Sequence, residues 1–300
     1  MRNAFSRAVI EKFSQPSCFF LTGDLGFMAL EGIRDTLGDR FINCGVAEQN
    51  MISVAAGLAS EGFQVFVYSI GPFCYARPFE QIRNDICFGR LPVCLVGNGG
   101  GYAYGSMGPT HHALEDCAAM SALGVKVLVP AFNQDIVPLL SNIDSPTYLR
   151  LGREELPIGY SAPEHLTWRC LLDGSAGLLV ALGPLAGVCW QALDSLDPKD
   201  RPALWAVTAL PLDNIPVEFL RAVASGKTLA VMEEHIAEGG LGMQLVYALS
   251  RRGIGIKGFL HRHALGYPSG RYGSQKFHRQ ECGLDEEGVA KLVRELVTKQ

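Results

Sequence analysis

The feature that most restricts how this chain folds is a recurring apolar run of five or six residues, nearly uninterrupted by polar positions. "CFFLT" (18–22), "QVFVYS" (64–69), "PVCLVG" (92–97), "VKVLVP" (125–130) and "PTYLRL" (146–151) are of this kind. Successive side chains of a strand point to opposite faces, so a strand with one wet face alternates apolar and polar residues. A run that is apolar almost throughout belongs to a strand covered on both faces, as in a parallel sheet between layers of helix. Helical stretches fall at 46–60, 76–88, 112–122 and 133–143, where parallel strands need their crossovers.

A second series follows: "GLLVAL" (177–182), "ALWAVT" (203–208), "KTLAVME" (227–233) and "GIKGFL" (255–260), with helices near 184–195, 215–224, 240–251 and 285–297. Between the two series, over 152–173, periodicity is lost and two prolines occur. At 300 residues the chain is longer than one core usually supports. The expected fold is α/β, with two tandem three-layer domains whose sheets are mostly parallel. The boundaries are 1–155 for the first domain, 156–174 for a linker and 175–300 for the second domain. No short-period repeat or low-complexity tract is present.

Net charge of −4 and a pI near 6.0, with no cluster of Lys and Arg, give no basis for binding nucleic acid or an anionic membrane. The longest apolar run, "LLVALGPLAGVCW" (178–190), is too short to cross a bilayer. The start, "MRNAFSRAVIEKF", lacks the apolar centre of a signal peptide. Nine cysteines, an odd number with no C-x-x-C pair, read as reduced thiols. The expectation is a soluble cytoplasmic protein.

In open parallel sheets ligands bind at the carboxyl ends of the strands. The loops there are "GDLG" (23–26), "SIGPFCYARP" (69–78) and "GNGGGYAYGSMGPTHH" (97–112). The glycine-rich third loop has neither GK[ST] nor G-x-G-x-x-G, and the chain has no G-x-S-x-G elbow. His261 and His263 share a strand face, but no spacing supplies further metal ligands, so no metal site is assigned. "GGLG" (239–242) is expected to open a helix. One carboxylate stands out: Glu48 sits at the front of an apolar helical run in "INCGVAEQNMISVAAGLAS" (42–60). The helix dipole alone favours an acid at such a place.

Taken in order, "FINCGVAEQNMISVAAGLA", "YSIGPFCYARPFEQIRNDI" and "GPTHHALED" resemble the pyrimidine-binding domain of the transketolase family, in particular the C-terminal subunit of split transketolases. "VMEEHIAEGGLG" and "ECGLDEEGVAKLV" resemble the C-terminal domain of that family. The resemblance implies thiamine diphosphate as cofactor. Glu48 matches the glutamate that bonds the pyrimidine N1′ and favours the imino form, which takes the proton from the thiazolium C2. Such a carboxyl works from an apolar pocket. Phe73 matches the aromatic under the aminopyrimidine, and Asp24 and Leu25 match a stretch that approaches the cofactor. His111 matches the histidine of the "GPTH" motif, which contacts substrate hydroxyls and helps proton transfer. Arg153, in "LGREELP", matches an arginine that binds sugar phosphate, a task suited to a guanidinium fork.

Two departures concern the substrate. Ser106 and Met107 stand where the family usually has an acidic pair, and a phosphate-contacting histidine of the family is replaced by glycine near Gly99. "GDL" (23–25) lacks the third glycine of the GDG…N signature for magnesium and diphosphate, and Met1 stands almost at the start of the pyrimidine domain. The resemblance therefore implies that an N-terminal partner subunit holds the Mg2+ and the diphosphate, in an α2β2 assembly active only as a whole. The implied activity is transfer of a two-carbon ketol unit from a ketose or ketose phosphate to an aldehyde. A β subunit of a thiamine-dependent 2-oxo acid decarboxylase, or of a deoxyxylulose phosphate synthase-like carboligase, is the alternative. A non-catalytic assembly subunit is a third reading.

Overall fold

A computed structural model describes residues 1–298. The first five apolar runs become strands. β1 (Cys18–Thr22), β3 (Gln64–Ile70), β4 (Val93–Asn98), β5 (Lys126–Leu128) and β6 (Thr147–Leu151) lie in one sheet with β2 (Phe41–Asn43). The strand order is β10-β5-β6-β4-β3-β1-β2, where β10 is Ala209–Leu210. Every pairing in it is parallel except β10 with β5. β6 is buried at every position and β4 at all but its last, as strands under helices on both faces must be. The second sheet has the order β12-β11-β8-β9-β7, with β7 (Trp168–Leu172), β8 (Leu178–Leu182), β9 (Ala203–Val207), β11 (Leu229–Met232) and β12 (Phe259–Arg262). It too is parallel, apart from β7 against β9. The fold is thus the expected α/β arrangement of mostly parallel sheets flanked by helices.

Two strands depart from the expected tandem plan. The 156–174 stretch is not a plain linker, because residues 168–172 form the antiparallel edge strand β7, and Trp168 packs its ring 5.1 Å from Phe219. Arg169, buried against Asp135 at 2.6 Å, and the exposed Cys170 interrupt the apolar pattern in the sequence. β10 comes from the second half yet pairs with β5 of the first sheet, continuing the bond from Val129 N to Thr208 O at 2.8 Å. Helices Arg2–Lys12, Glu31–Leu37 and Gln275–Cys282 were also not expected.

The helix Glu48–Ser60 buries Met51, Ile52, Ala55, Ala56 and Ala59, one stripe at helical spacing, against β1 and β3. Burial of Met51 and Ile52 contributes roughly 1.5–3 kcal/mol each, and the small alanines let the helix lie close to the sheet. That packing fixes its N-terminus, with Glu48, at the carboxyl edge of the sheet.

The two halves are joined by buried charge. Arg150, at the end of β6, donates from Nε to Asp116 Oδ2 (2.8 Å) and from Nη2 to the carbonyls of Ala113 (2.6 Å) and Glu234 (2.9 Å). Glu234 Oε1 accepts from Tyr102 N at 2.7 Å, and Glu234 Oε2 from Arg279 Nε at 2.5 Å. Among the described residues no helix is long and apolar enough to cross a membrane.

Candidate active site

Three loops converge on Glu48. The turn before its helix uses Gly45 at φ 69°, a conformation that favours glycine. Asn43, ending β2, ties that turn to the loop after β1: its side-chain oxygen accepts from Gly45 N and Asp24 N, both at 3.0 Å, and its Nδ2 donates to Asp24 Oδ1 at 2.9 Å. Gly23 crosses close by, where an added Cβ would lie 3.4 Å from Gly45 O and 3.8 Å from Glu48 Cγ.

The Glu48 carboxylate is only 5% exposed. Its Oε1 accepts from Arg77 Nη1 at 2.8 Å, and the same guanidinium lies 3.7 Å above the Phe73 ring. Phe73 meets His111 edge-on with ring centres 5.3 Å apart, and the Tyr104 ring lies tilted 5.7 Å from His111. His111 Nδ1 is 2.9 Å from Thr110 Oγ1, and the Tyr104 hydroxyl accepts from Asn98 Nδ2 at 2.8 Å. Burial raises the Tyr104 phenol above its ordinary pKa. Glu48, Phe73 and His111, separated by up to 63 positions (111 − 48), therefore form one continuous contact chain with Arg77 and Tyr104. The expected apolar pocket for Glu48 is corrected in one respect: a guanidinium, not hydrocarbon, meets its carboxylate.

The other expected residues lie at the margins. Asp24 and Leu25 line a separate hollow with Phe27 and Arg34, reached past Gly23 from Glu48. Leu25 also packs on the core below. Arg153 is exposed and lines a hollow of about 370 Å³ with Arg2, Asn98, Gly99 and Tyr104. Tyr104 is what connects that hollow to His111. Gly99 suits its place sterically: its φ is +84°, and a Cβ there would strike the Tyr104 ring at 2.1 Å. Ser106 and Met107 sit exposed on a short turn, Gly105–Met107.

Arg77, Tyr104 and Asn43 were not picked out in the sequence. Arg77 stands four positions after Phe73 in a helical turn, the one local sign that the two side chains meet. Asp116, Cys117 and His235 lie together, but do not make a metal site. His235 has both ring nitrogens engaged, with Ile236 O at 2.7 Å and Ala118 N at 3.2 Å, and burial holds the Cys117 thiol well above its ordinary pKa. His261 bonds Glu233 Oε1 at 2.8 Å, and Glu233 in turn accepts from Leu241 N (2.7 Å) and Gly242 N (2.9 Å). The "GGLG" segment thus opens the helix Leu241–Ser250 on a buried carboxylate.

A buried carboxylate beside an aromatic ring, with a flat N–H-bearing group across both, is a fitting cradle for an aminopyrimidine. Comparisons with known proteins give the family. The family model for the transketolase pyrimidine-binding domain matches residues 1–158. The chain belongs to the transketolase family. It is 32% identical over 285 residues to one of the subunits of the apulose-4-phosphate transketolase of Phocaeicola vulgatus, covering 88% of each. It is 31% identical over 272 residues to 1-deoxy-D-xylulose-5-phosphate synthase 2 of Geobacter sulfurreducens, covering 86% of this chain and 42% of that one. Among solved structures it superposes on a split-gene transketolase described as an inactive β4 tetramer, with a TM-score of 0.81, 28% identity and coverage of 99% and 97%. This transketolase chain is a C-terminal subunit of the split kind, a transferase whose chemistry depends on thiamine diphosphate.

Proposed function

We propose that the subunit transfers a two-carbon ketol unit from a ketose, or ketose phosphate, to an aldehyde, in a complex with an N-terminal subunit. Bound thiamine diphosphate supplies the nucleophilic carbon that carries the two-carbon unit between donor and acceptor. Glu48 holds a proton at the pyrimidine N1′, acting as the acid–base partner from a largely buried position. Phe73 offers the face on which the pyrimidine stacks. Arg77 covers one face of Phe73 and one oxygen of Glu48, so a ring that stacks there displaces the guanidinium toward solvent. His111 moves protons at the substrate hydroxyls. Arg153, the exposed cation of the neighbouring hollow, takes a terminal phosphate. Asp24 and Leu25 flank the cofactor from the opposite side of Glu48. Residues 1–155 are assigned as the pyrimidine domain, and the C-terminal domain expected over 175–300 also takes in its edge strand β7.

The Glu48–Arg77–Phe73 arrangement carries this reading. The partner is supported by the names of two similar proteins, one a subunit of a larger transketolase and one a split-gene product. It is also supported by apolar side chains standing exposed around the same edge: Phe27 at 83%, Met28 at 77% and Val46 at 74%. We assign the magnesium and diphosphate to that partner, and α2β2 as the assembly. The test is to purify the chain with its N-terminal subunit and assay it with thiamine diphosphate and Mg2+. Cleavage of a ketose phosphate supports ketol transfer. Carbon dioxide release from pyruvate in its place overturns it in favour of the synthase-like reading, which the second similarity and the exposed Ser106–Met107 turn keep specific. A Glu48→Ala complex with full activity identifies a non-catalytic assembly subunit.

A further inference from the structure

We propose that Tyr267 and His112 set the pose of His111 from the second half of the chain, making the C-terminal domain a positioning element for ketol transfer. This rests on the role given to His111 above.

His112 follows His111 directly and is 3% exposed. Both its ring nitrogens are engaged: Nε2 lies 2.7 Å from Gly105 O and Nδ1 lies 2.7 Å from Tyr267 Oη. A carbonyl only accepts, so Nε2 carries the hydrogen, and Nδ1 receives the Tyr267 hydroxyl proton. The neutral ring with this tautomer is a strut. One end holds residue 105, where the turn bearing Ser106 and Met107 begins, and the other reaches 155 positions along the chain to Tyr267. With both nitrogens committed inside the protein, His112 has no path for a proton to substrate, so it positions and does not itself react.

Four further contacts hold the same loop from the same side. Tyr102 donates its hydroxyl to Gly266 O at 2.8 Å and stacks on His278 with ring centres 4.8 Å apart. Tyr102 N donates to Glu234. Gly105 packs so closely on the backbone of 273–275 that a Cβ would lie 3.2 Å from Gly273 O and from Gln275 N. Among the described residues the His111 side chain has no such bond to the second half. It meets the Thr110 hydroxyl and the rings of Phe73 and Tyr104, all on the pyrimidine-binding half. The His111 amide donates to Gly108 O at 3.0 Å, as the His112 amide does at 3.2 Å, and His112 ties that shared turn to the second half.

The test uses the assembled enzyme with its N-terminal subunit, thiamine diphosphate and Mg2+, and three variants. Tyr267→Phe keeps the ring stack and removes only the hydroxyl. His112→Gln keeps a donor for Gly105 and an acceptor for Tyr267, which His112→Ala does not. The expected result for Tyr267→Phe is amide hydrogen exchange about 10-fold faster over 105–112, and kcat with apulose 4-phosphate or fructose 6-phosphate lower by about 10-fold, the scale of a small misplacement of a catalytic group. Deuterium exchange at the thiazolium C2 of bound cofactor stays within about twofold, since the Glu48 side is untouched. His112→Gln recovers most of the rate that His112→Ala loses. Unchanged protection over 105–112, or C2 exchange falling by the same factor as turnover, overturns the proposal. A slow His111→Ala enzyme beside a Tyr267→Phe enzyme of normal rate overturns it alone, while a His111→Ala enzyme of normal rate overturns the reading of His111 as well.

Discussion

Glu48 and Arg77 are paired across 29 positions, a carboxylate 5% exposed against a guanidinium 46% exposed, with Oε1 and Nη1 2.8 Å apart. The guanidinium carbon lies 3.7 Å above the Phe73 ring, within cation–π reach. One side chain thus joins the expected proton-handling group to the expected stacking surface, and each can be probed through it.

Glu48→Gln keeps the shape and a hydrogen-bonding end while removing the acid. In the assembled enzyme kcat is expected to fall about 10²- to 10⁴-fold, the usual size of a positioned proton transfer. Complex formation, followed by size-exclusion chromatography, is expected to be unchanged. Turnover within a few-fold of the parent speaks against Glu48 as the acid–base group.

Arg77→Ala leaves the Glu48 carboxylate buried and unpaired. The arginine is half exposed, so its loss is screened by water and ranks between exposed and buried pairs, at about 1–2 kcal/mol. Urea unfolding of the subunit should shift to lower midpoint by that amount. Adding Glu48→Gln should restore most of it, and an unshifted midpoint in Arg77→Ala contradicts the pairing.

Arg153→Met removes the exposed cation of the Tyr104 hollow while keeping its length. Loss of a charged hydrogen bond to phosphate raises KM for a phosphorylated donor roughly 10- to 100-fold. KM for the same sugar without phosphate stays put. Equal effects on both donors exclude a phosphate contact.

Burial pushes the imidazoles of His112, His165 and His278 below the ordinary histidine value of 6.5. Around His112 stand Glu234, which opposes the shift, His278 and His111, which add to it, and the rings of Tyr102 and Tyr267. Below pH 6.5 the unfolded chain takes up protons that the folded chain refuses, so stability is lost as pH falls through that window and is regained as pH rises. Urea midpoints at pH 7.5 and 5.5, compared between the parent and His112→Gln, measure it. The variant is expected to lose part of the slope, and identical slopes exclude a contribution from His112.

The sequence by itself determined the layering. An apolar run such as residues 147–151 of β6 demands cover on both faces, and its strand and the flanking helices appear where that demand places them. The resemblance of contiguous motifs pointed to Glu48, Phe73 and His111, of which a carboxylate at the start of an Ala-rich helix and a histidine after Gly-Pro-Thr are visible without any tertiary contact. Tertiary structure alone decided what those groups touch. Arg77 meets Glu48, Tyr104 fills the space beside Gly99, β10 joins a sheet 81 positions away from β5 (209 − 128), and Tyr267 reaches His112. Local periodicity records which face of a segment is buried, since that depends on the segment's own residues. Which distant side chain meets it depends on how two packed sheets and their loops are set against each other, and no single stretch of sequence carries that information.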